Sequence, residues 1–287
     1  MKKVTQVLES RWQSEGRGAK VRRSIGRPEL RSLDPFLMLD EFQGSSTEGA
    51  GFPDHPHRGF ETVSYLLEGE FTHEDFTGRK GTLRPGDLQW MTAGRGIVHS
   101  EMPGPMLTRG LQLWVNLKRE FKMVEPAYQE HTADQIVKAE QDGVSVKVIA
   151  GQSMGVKSPV RTRTPTYFLD FRLEPQAKFT QTVPKDWTTF VYTLLGEVSF
   201  GSNQKQVKAH HTVVFSSEHE DVSFENTGTD SAHFVLIAGQ PIKEPVVQRG
   251  PFVMNTQAEI MQAMEDYQLS KNGFENARKW QSVEGNK

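Results

Sequence analysis

Two short patterns hold the residues of this chain best suited to chemistry, His55-Pro56-His57 and His99-Ser100-Glu101. Side chains of an extended strand alternate between its two faces, so the outer members of each triplet point the same way. Two such pairs on facing strands bring three imidazoles and one carboxylate to one point. That donor set suits iron, nickel, manganese, copper or zinc, and is a poor match to calcium or magnesium. Pro56 has no backbone N–H, which puts the first pair on an edge strand, a strand start or a bulge. There is no cysteine, so disulfides, zinc–cysteine sites, iron–sulfur clusters and thiol nucleophiles are excluded. The other histidines form no comparable group. His210 and His211 are adjacent and would face opposite ways on a strand. His73, His131, His219 and His233 have no close partner and read as ordinary surface or hydrogen-bonded residues.

Facing strands need turns to position them. Arg84-Pro85-Gly86-Asp87 is a turn signal that opens a strand at Leu88-Gln89-Trp90-Met91. Ala93-Gly94-Arg95-Gly96 then bends the chain ahead of His99, and its glycines allow a tight return. Elsewhere, short apolar runs alternate with glycine and proline, a pattern of many short strands. Examples are Thr62–Leu67, Leu111–Val115, Val144–Val148 and His233–Ile237. One helix is expected near the end. Thr256-Gln257-Ala258-Glu259 is a capping-box pattern, and Ile260, Ala263, Met264 and Tyr267 follow as an apolar stripe that packs on the core.

The chain repeats itself. The run from Phe60 to Glu70 aligns without gaps to the run from Trp187 to Glu197, a spacing the size of one β domain. Two homologous β-barrels in tandem follow. The second copy offers Thr182 and Pro184 in place of His55 and His57, and Ser223 and Glu225 around the places of His99 and Glu101. One metal per chain is therefore expected, in the N-terminal half, with the other barrel structural or a partner surface. The boundaries expected are 1–134 for the first barrel, 135–142 for a linker, and 143–287 for the second barrel and the helix. The polar segment from Glu130 to Asp142 supplies the linker, with room for a short helix.

With 287 residues, 36% hydrophobic and 24% charged, the chain reads as a soluble folded protein of two domains. A formal net charge of −2 argues against a general nucleic-acid binder, whose footprint is basic. The local exception is Arg17, Lys20, Arg22, Arg23, Arg27 and Arg31, diluted by Glu15 and Glu29. It reads first as a solvated edge and second as a docking surface for an acidic partner. No stretch suits a signal peptide or a membrane helix, so an intracellular protein without membrane contact is expected.

Longer motifs extend this reading. The stretch Gly49 to His57 resembles the first cupin motif, and Gly86 to His99 the second. Asp34-Pro35-Phe36, Gly51 to Thr62, Pro85 to Ile97 and Gly250 to Thr256 together resemble the pirin family, over nearly the whole chain and closest to its animal members. The resemblance implies an all-β fold of two tandem cupin (double-stranded β-helix, jelly-roll) barrels with a short C-terminal helix. It implies one Fe(2+) per chain, held by His55, His57, His99 and Glu101. It further implies quercetin 2,3-dioxygenase activity, the ring-opening of a flavonol by dioxygen, with Glu101 also catalytic as the base for the substrate hydroxyl. Phe52, Phe60 and Trp90 are candidates for apolar walls or for core. The vertebrate family member is described as a nuclear iron-dependent co-regulator acting with NF-κB and an IκB-like partner, and the resemblance implies a role here as a redox-sensitive nuclear transcriptional co-regulator. A nuclear and cytoplasmic monomer follows, without direct nucleic-acid binding. The alternative is a non-enzymatic, iron-dependent co-regulator or scaffold.

Overall fold

A computed structural model describes residues 1–286. Strands dominate, all paired antiparallel within their sheets. They divide into two compact units, each built on one seven-stranded and one four-stranded sheet. The units are not the contiguous halves that the sequence suggests. One comprises 1–11, 26–35 and 134–241; the other comprises 12–25, 36–133 and the described residues from 242 onward. The first strand, Val4–Glu9, pairs with His211–Phe215 rather than with its sequence neighbours. The helix α1, Gln257–Leu269, belongs to the unit of the histidine pairs. Backbone pairing decides this. An edge strand joins whichever sheet edge offers matching hydrogen-bond groups, and sequence proximity does not enter.

The expected linker is also structured. Val137–Gln141 is an edge strand that pairs with Val144–Ala150. Asp142 and Gly143 close the hairpin, both at positive φ, 49° and 77°. Asp-Gly is the residue pair that two-residue hairpins favour; this signal lies inside the polar segment. No helix forms there.

The internal repeat is a structural one. Phe60–Glu68 and Thr188–Leu195 hold the same third place in their seven-stranded sheets. In the unit of Thr188–Leu195 the interior is solid. Phe171, Phe200, Phe224 and Phe234 pack ring against ring in a cluster of buried apolar side chains. Here the alignment needs a one-residue correction. Val222 and Phe224 point into that cluster, while Ser223 and Glu225 are half-exposed. A strand shifted by one residue turns every side chain to the other face.

The other unit keeps a polar interior. Its four-stranded sheet runs Phe52–His57, Ile97–Pro103, Phe71–Asp75, Lys80–Leu83. Phe52–His57 is an edge strand, one of the three placements that Pro56 allows. Gly59, just beyond it, shows why that turn is tight. Its φ is 90°, and an added Cβ would lie 2.0 Å from Val253 O. Gly59→Ala is expected to destabilise the protein by about 2–3 kcal/mol through a strained φ and a backbone clash, measured as a lowered urea midpoint with unchanged slope.

The helix starts as its sequence dictates. The Thr256 hydroxyl accepts from the Glu259 N–H, and the Glu259 carboxylate accepts from the Thr256 N–H. Ile260 and Ala263 are buried as expected. Asp266 is buried too, at 1% exposure, which apolar periodicity does not foresee.

Candidate metal centre

The strand of the first histidine pair lies against the strand of the second. His99 stands opposite His55, and Glu101 opposite Phe52, with one extra residue on the first strand between those rungs. This bulge follows from Pro53 and Pro56, which interrupt the ladder of N–H donors. The result brings ring nitrogens of His55, His57 and His99 within 4.8 Å of one another, close enough to hold one metal ion. His57 and His99 are 3% and 1% exposed; His55 is half-buried.

His55 Nδ1 lies 2.7 Å from Pro53 O. It must donate there, so Nε2 carries the lone pair. That lone pair faces His99 Nε2 at 2.9 Å. Cis ligands about 2.1 Å from one ion sit about 3 Å apart, so this spacing fits a shared cation. Burial, reinforced by the neighbouring His99, pushes the His55 imidazole down to about 4. Burial, with His73 nearby, pushes His99 down to about 3. His57 is held well below its usual range by burial and by its two neighbours. All three are therefore neutral near pH 7, the form that binds metal.

Glu101 belongs to the same inner face. Its Oε2 lies 3.9 Å from His99 Nε2, a longer approach than the 2.9 Å between the Nε2 atoms of His55 and His99. The carboxylate is fixed from behind. Gln112 Nε2 donates to both oxygens at 3.1 and 3.0 Å, and the Ser64 hydroxyl is 3.0 Å from Oε1. Gln112 and Ser64 lie in the seven-stranded sheet, on strands Thr108–Asn116 and Phe60–Glu68. The opposite sheet thus aims the acid across the barrel.

The structure distinguishes between the alternatives that the sequence offers for several residues. Trp90 is 1% exposed, and its indole N–H donates to Glu61 Oε2 at 2.9 Å. It is held away from the histidines. Phe60 does reach the site, its ring 5.2 Å from that of His57. Phe52 packs edge-on to Phe42 at 6.4 Å. Trp114, half-buried and 5.3 Å from the His57 ring, supplies the aromatic surface that Trp90 does not. Its place in an alternating strand is visible in sequence, but its proximity to His57 is a cross-strand fact. His73 and His233 take the second of their two readings, as buried residues with a polar partner. His73 Nε2 lies 2.9 Å from Glu130 Oε1, and His233 pairs with Asp170. Each partner sits on another strand, far away in sequence. The basic stretch is in part folded in, since Arg23 donates to Asp40 and Glu15.

Arg58 directly follows His57 of the histidine trio. Its guanidinium, 1% exposed, donates to Asp266 Oδ2 at 2.8 Å and to the carbonyls of Arg95 and Asn272 at 2.6 Å each. Asp266 also accepts from Gln262 and Asn272. The helix α1 is therefore tied to the residue beside a histidine of the centre.

Two tandem β-barrels of like topology, one with a polar interior that converges on three histidines and a carboxylate, define a bicupin. A "Pirin" family model matches residues 18–115, and a "Pirin C-terminal cupin domain" model matches residues 168–273. The chain belongs to the pirin family. It is 58% identical to human pirin over 289 residues, covering 99% of each chain. It is 61% identical to a pirin-like protein of tomato (Solanum lycopersicum) over 281 residues, covering 97% and 95%. Plant relatives thus stand as near as animal ones. A crystal structure of quercetin 2,3-dioxygenase from Acinetobacter baumannii superposes with a TM-score of 0.87 at 35% identity, covering 96% of this chain and 99% of that one. Among the described residues, no helix is long and apolar enough to cross a membrane.

Proposed function

We propose that this protein is an iron-dependent dioxygenase that opens the central ring of flavonols, with Fe(2+) held by His55, His57, His99 and Glu101. The observation that carries the reading is the convergence of three imidazoles beside one buried, hydrogen-bonded carboxylate. The likeness to a quercetin 2,3-dioxygenase over nearly the full length of both chains supports the reaction class. Bound iron would act as Lewis acid and template for substrate and dioxygen. Glu101 takes the proton of the flavonol 3-hydroxyl, because Oε2 faces the histidine trio where that oxygen must sit. Ser64 and Gln112 hold the carboxylate in register for that transfer. Phe60 and Trp114 present flat apolar surface beside His57, suited to an aromatic substrate. Both atoms of dioxygen enter the product, and one ring carbon leaves as carbon monoxide.

The test is oxygen uptake with quercetin by protein loaded anaerobically with Fe(II), with metal content measured in parallel. Glu101→Ala is expected to lower uptake at least about 100-fold, the usual scale for loss of a general base. Uptake by the loaded wild-type protein no greater than that of Glu101→Ala would overturn the enzymatic reading and leave a metal-binding scaffold.

A further inference from the structure

The segment that follows α1 returns to the metal-bearing sheet and lies across its outer face. The Ser282 N–H donates to Asp54 Oδ2 at 3.1 Å, and the Asn286 side chain reaches the same oxygen at 3.4 Å. The N–H groups of Val283 and Glu284 donate to Glu74 Oε2 at 2.7 and 3.0 Å. Lys80 joins Glu74 and Glu284 at 2.8 and 3.1 Å. Gly285 is buried between these anchors; a Cβ added there would lie 3.3 Å from that of Ser100. Its own N–H is closed onto the Ser282 hydroxyl.

The three anchoring places are not arbitrary. Asp54 precedes His55, Ser100 stands between His99 and Glu101, and Glu74 is the register partner of Ser100. By alternation, side chains of these residues leave the sheet on the face opposite the ligands. The segment therefore spans the three strands behind the centre, from Phe52–His57 over Ile97–Pro103 to Phe71–Asp75. Phe52–His57 needs such support. It has one neighbour in its sheet, carries two prolines, and loses register beside His55. Few ladder bonds hold it in place.

We infer that Ser282–Asn286 is a strap that positions the metal ligands, fixing the His55–His57 strand against the His99–Glu101 strand from outside the barrel. This rests on the ligand assignment proposed above. Asp54, Glu74 and the strap are positioning groups that never touch the ion. Supporting groups behind metal ligands typically govern 10–100-fold in metal affinity.

The experiment compares the full chain with a chain ending at Gln281 and with Glu74→Ala. Fe(II) affinity is measured anaerobically by chelator competition, and the visible spectrum of the Co(II) form reports ligand geometry. Thermal unfolding of the metal-free proteins is followed alongside. Both variants are expected to melt cooperatively without metal, to bind Fe(II) at least about 10-fold more weakly, and to show an altered Co(II) spectrum. A full chain that binds, with variants of equal affinity and unchanged spectrum, overturns the strap and leaves the ligand assignment intact. A full chain that binds no metal overturns both. Should the shortened chain fail to fold, Glu74→Ala decides the matter, since it removes one anchor and leaves the remainder of the segment in place.

Discussion

Asp266→Ala is expected to destabilise the protein by about 3–5 kcal/mol, the cost of leaving one member of a buried ion pair without its partner. Arg58 and Asp266 are each 1% exposed and 2.8 Å apart. With the carboxylate gone, the guanidinium keeps the carbonyls of Arg95 and Asn272 as acceptors, and at 1% exposure it has little access to solvent that could offset the lost charge. Asp266→Asn retains an acceptor and should cost less. Replacing both residues by apolar ones of like volume should not restore full stability here, although such swaps are often neutral. Both carbonyls would lose a buried donor, and each unsatisfied group carries its own penalty of about 1–3 kcal/mol. Urea unfolding with free slopes measures these differences. A loss below about 1 kcal/mol for Asp266→Ala would show that the pair is wetter than its burial indicates. Because Arg58 adjoins His57, weaker metal binding by the same variant is the expected companion result.

Metal loading is the second large effect. An ion that binds only the folded state adds about 2.7 kcal/mol at 100 times its Kd and about 4.1 at 1,000 times. Fe(II) under anaerobic conditions should therefore raise the melting temperature, and His57→Ala should abolish the increment. The metal-free protein should in turn be acid-sensitive. Unfolded imidazoles take up protons near 6.5. Those of the folded cluster do so only at about 4 for His55 and about 3 for His99. Between these values the unfolded state holds more protons, so stability rises with pH across the window and falls on acidification from 6.5 toward 4. Each tenfold difference in proton affinity between the two states corresponds to about 1.4 kcal/mol. The imidazoles share one cavity and the first proton opposes the second, so the total is on the order of a few kcal/mol rather than a simple sum. Unfolding midpoints of metal-free protein at pH 7 and pH 5 test this. Equal midpoints would mean that the histidines titrate normally, and that water reaches the cluster.

The residues behind these two effects are unequally visible in the sequence. The His55–His57 and His99–Glu101 pairs are legible because a strand has period two, and i, i+2 spacing specifies a shared face whatever the surroundings. The capping box of α1 is legible for the same kind of reason, as it is a reciprocal contact between Thr256 and Glu259. The internal repeat locates the second barrel, and its match at Tyr65 and Tyr192 survives as equivalent strands. Arg58 and Asp266 stand 208 positions apart; no local rule joins them.

The sequence by itself therefore determined the donor types, their pairing in twos, the β-rich double architecture and the helix. Each of these follows from interactions within a few residues. The tertiary structure alone decided which unit receives the first strand and the helix, and that Trp114 rather than Trp90 lies beside His57. It alone showed that Ser64 and Gln112 fix Glu101, and that Ser282–Asn286 lies behind the strands of the two histidine-bearing pairs. These depend on which sheet edge captures a strand, and on which face a register leaves inward. Both are set by the summed burial and hydrogen bonding of the whole fold, to which any one segment contributes only a small part.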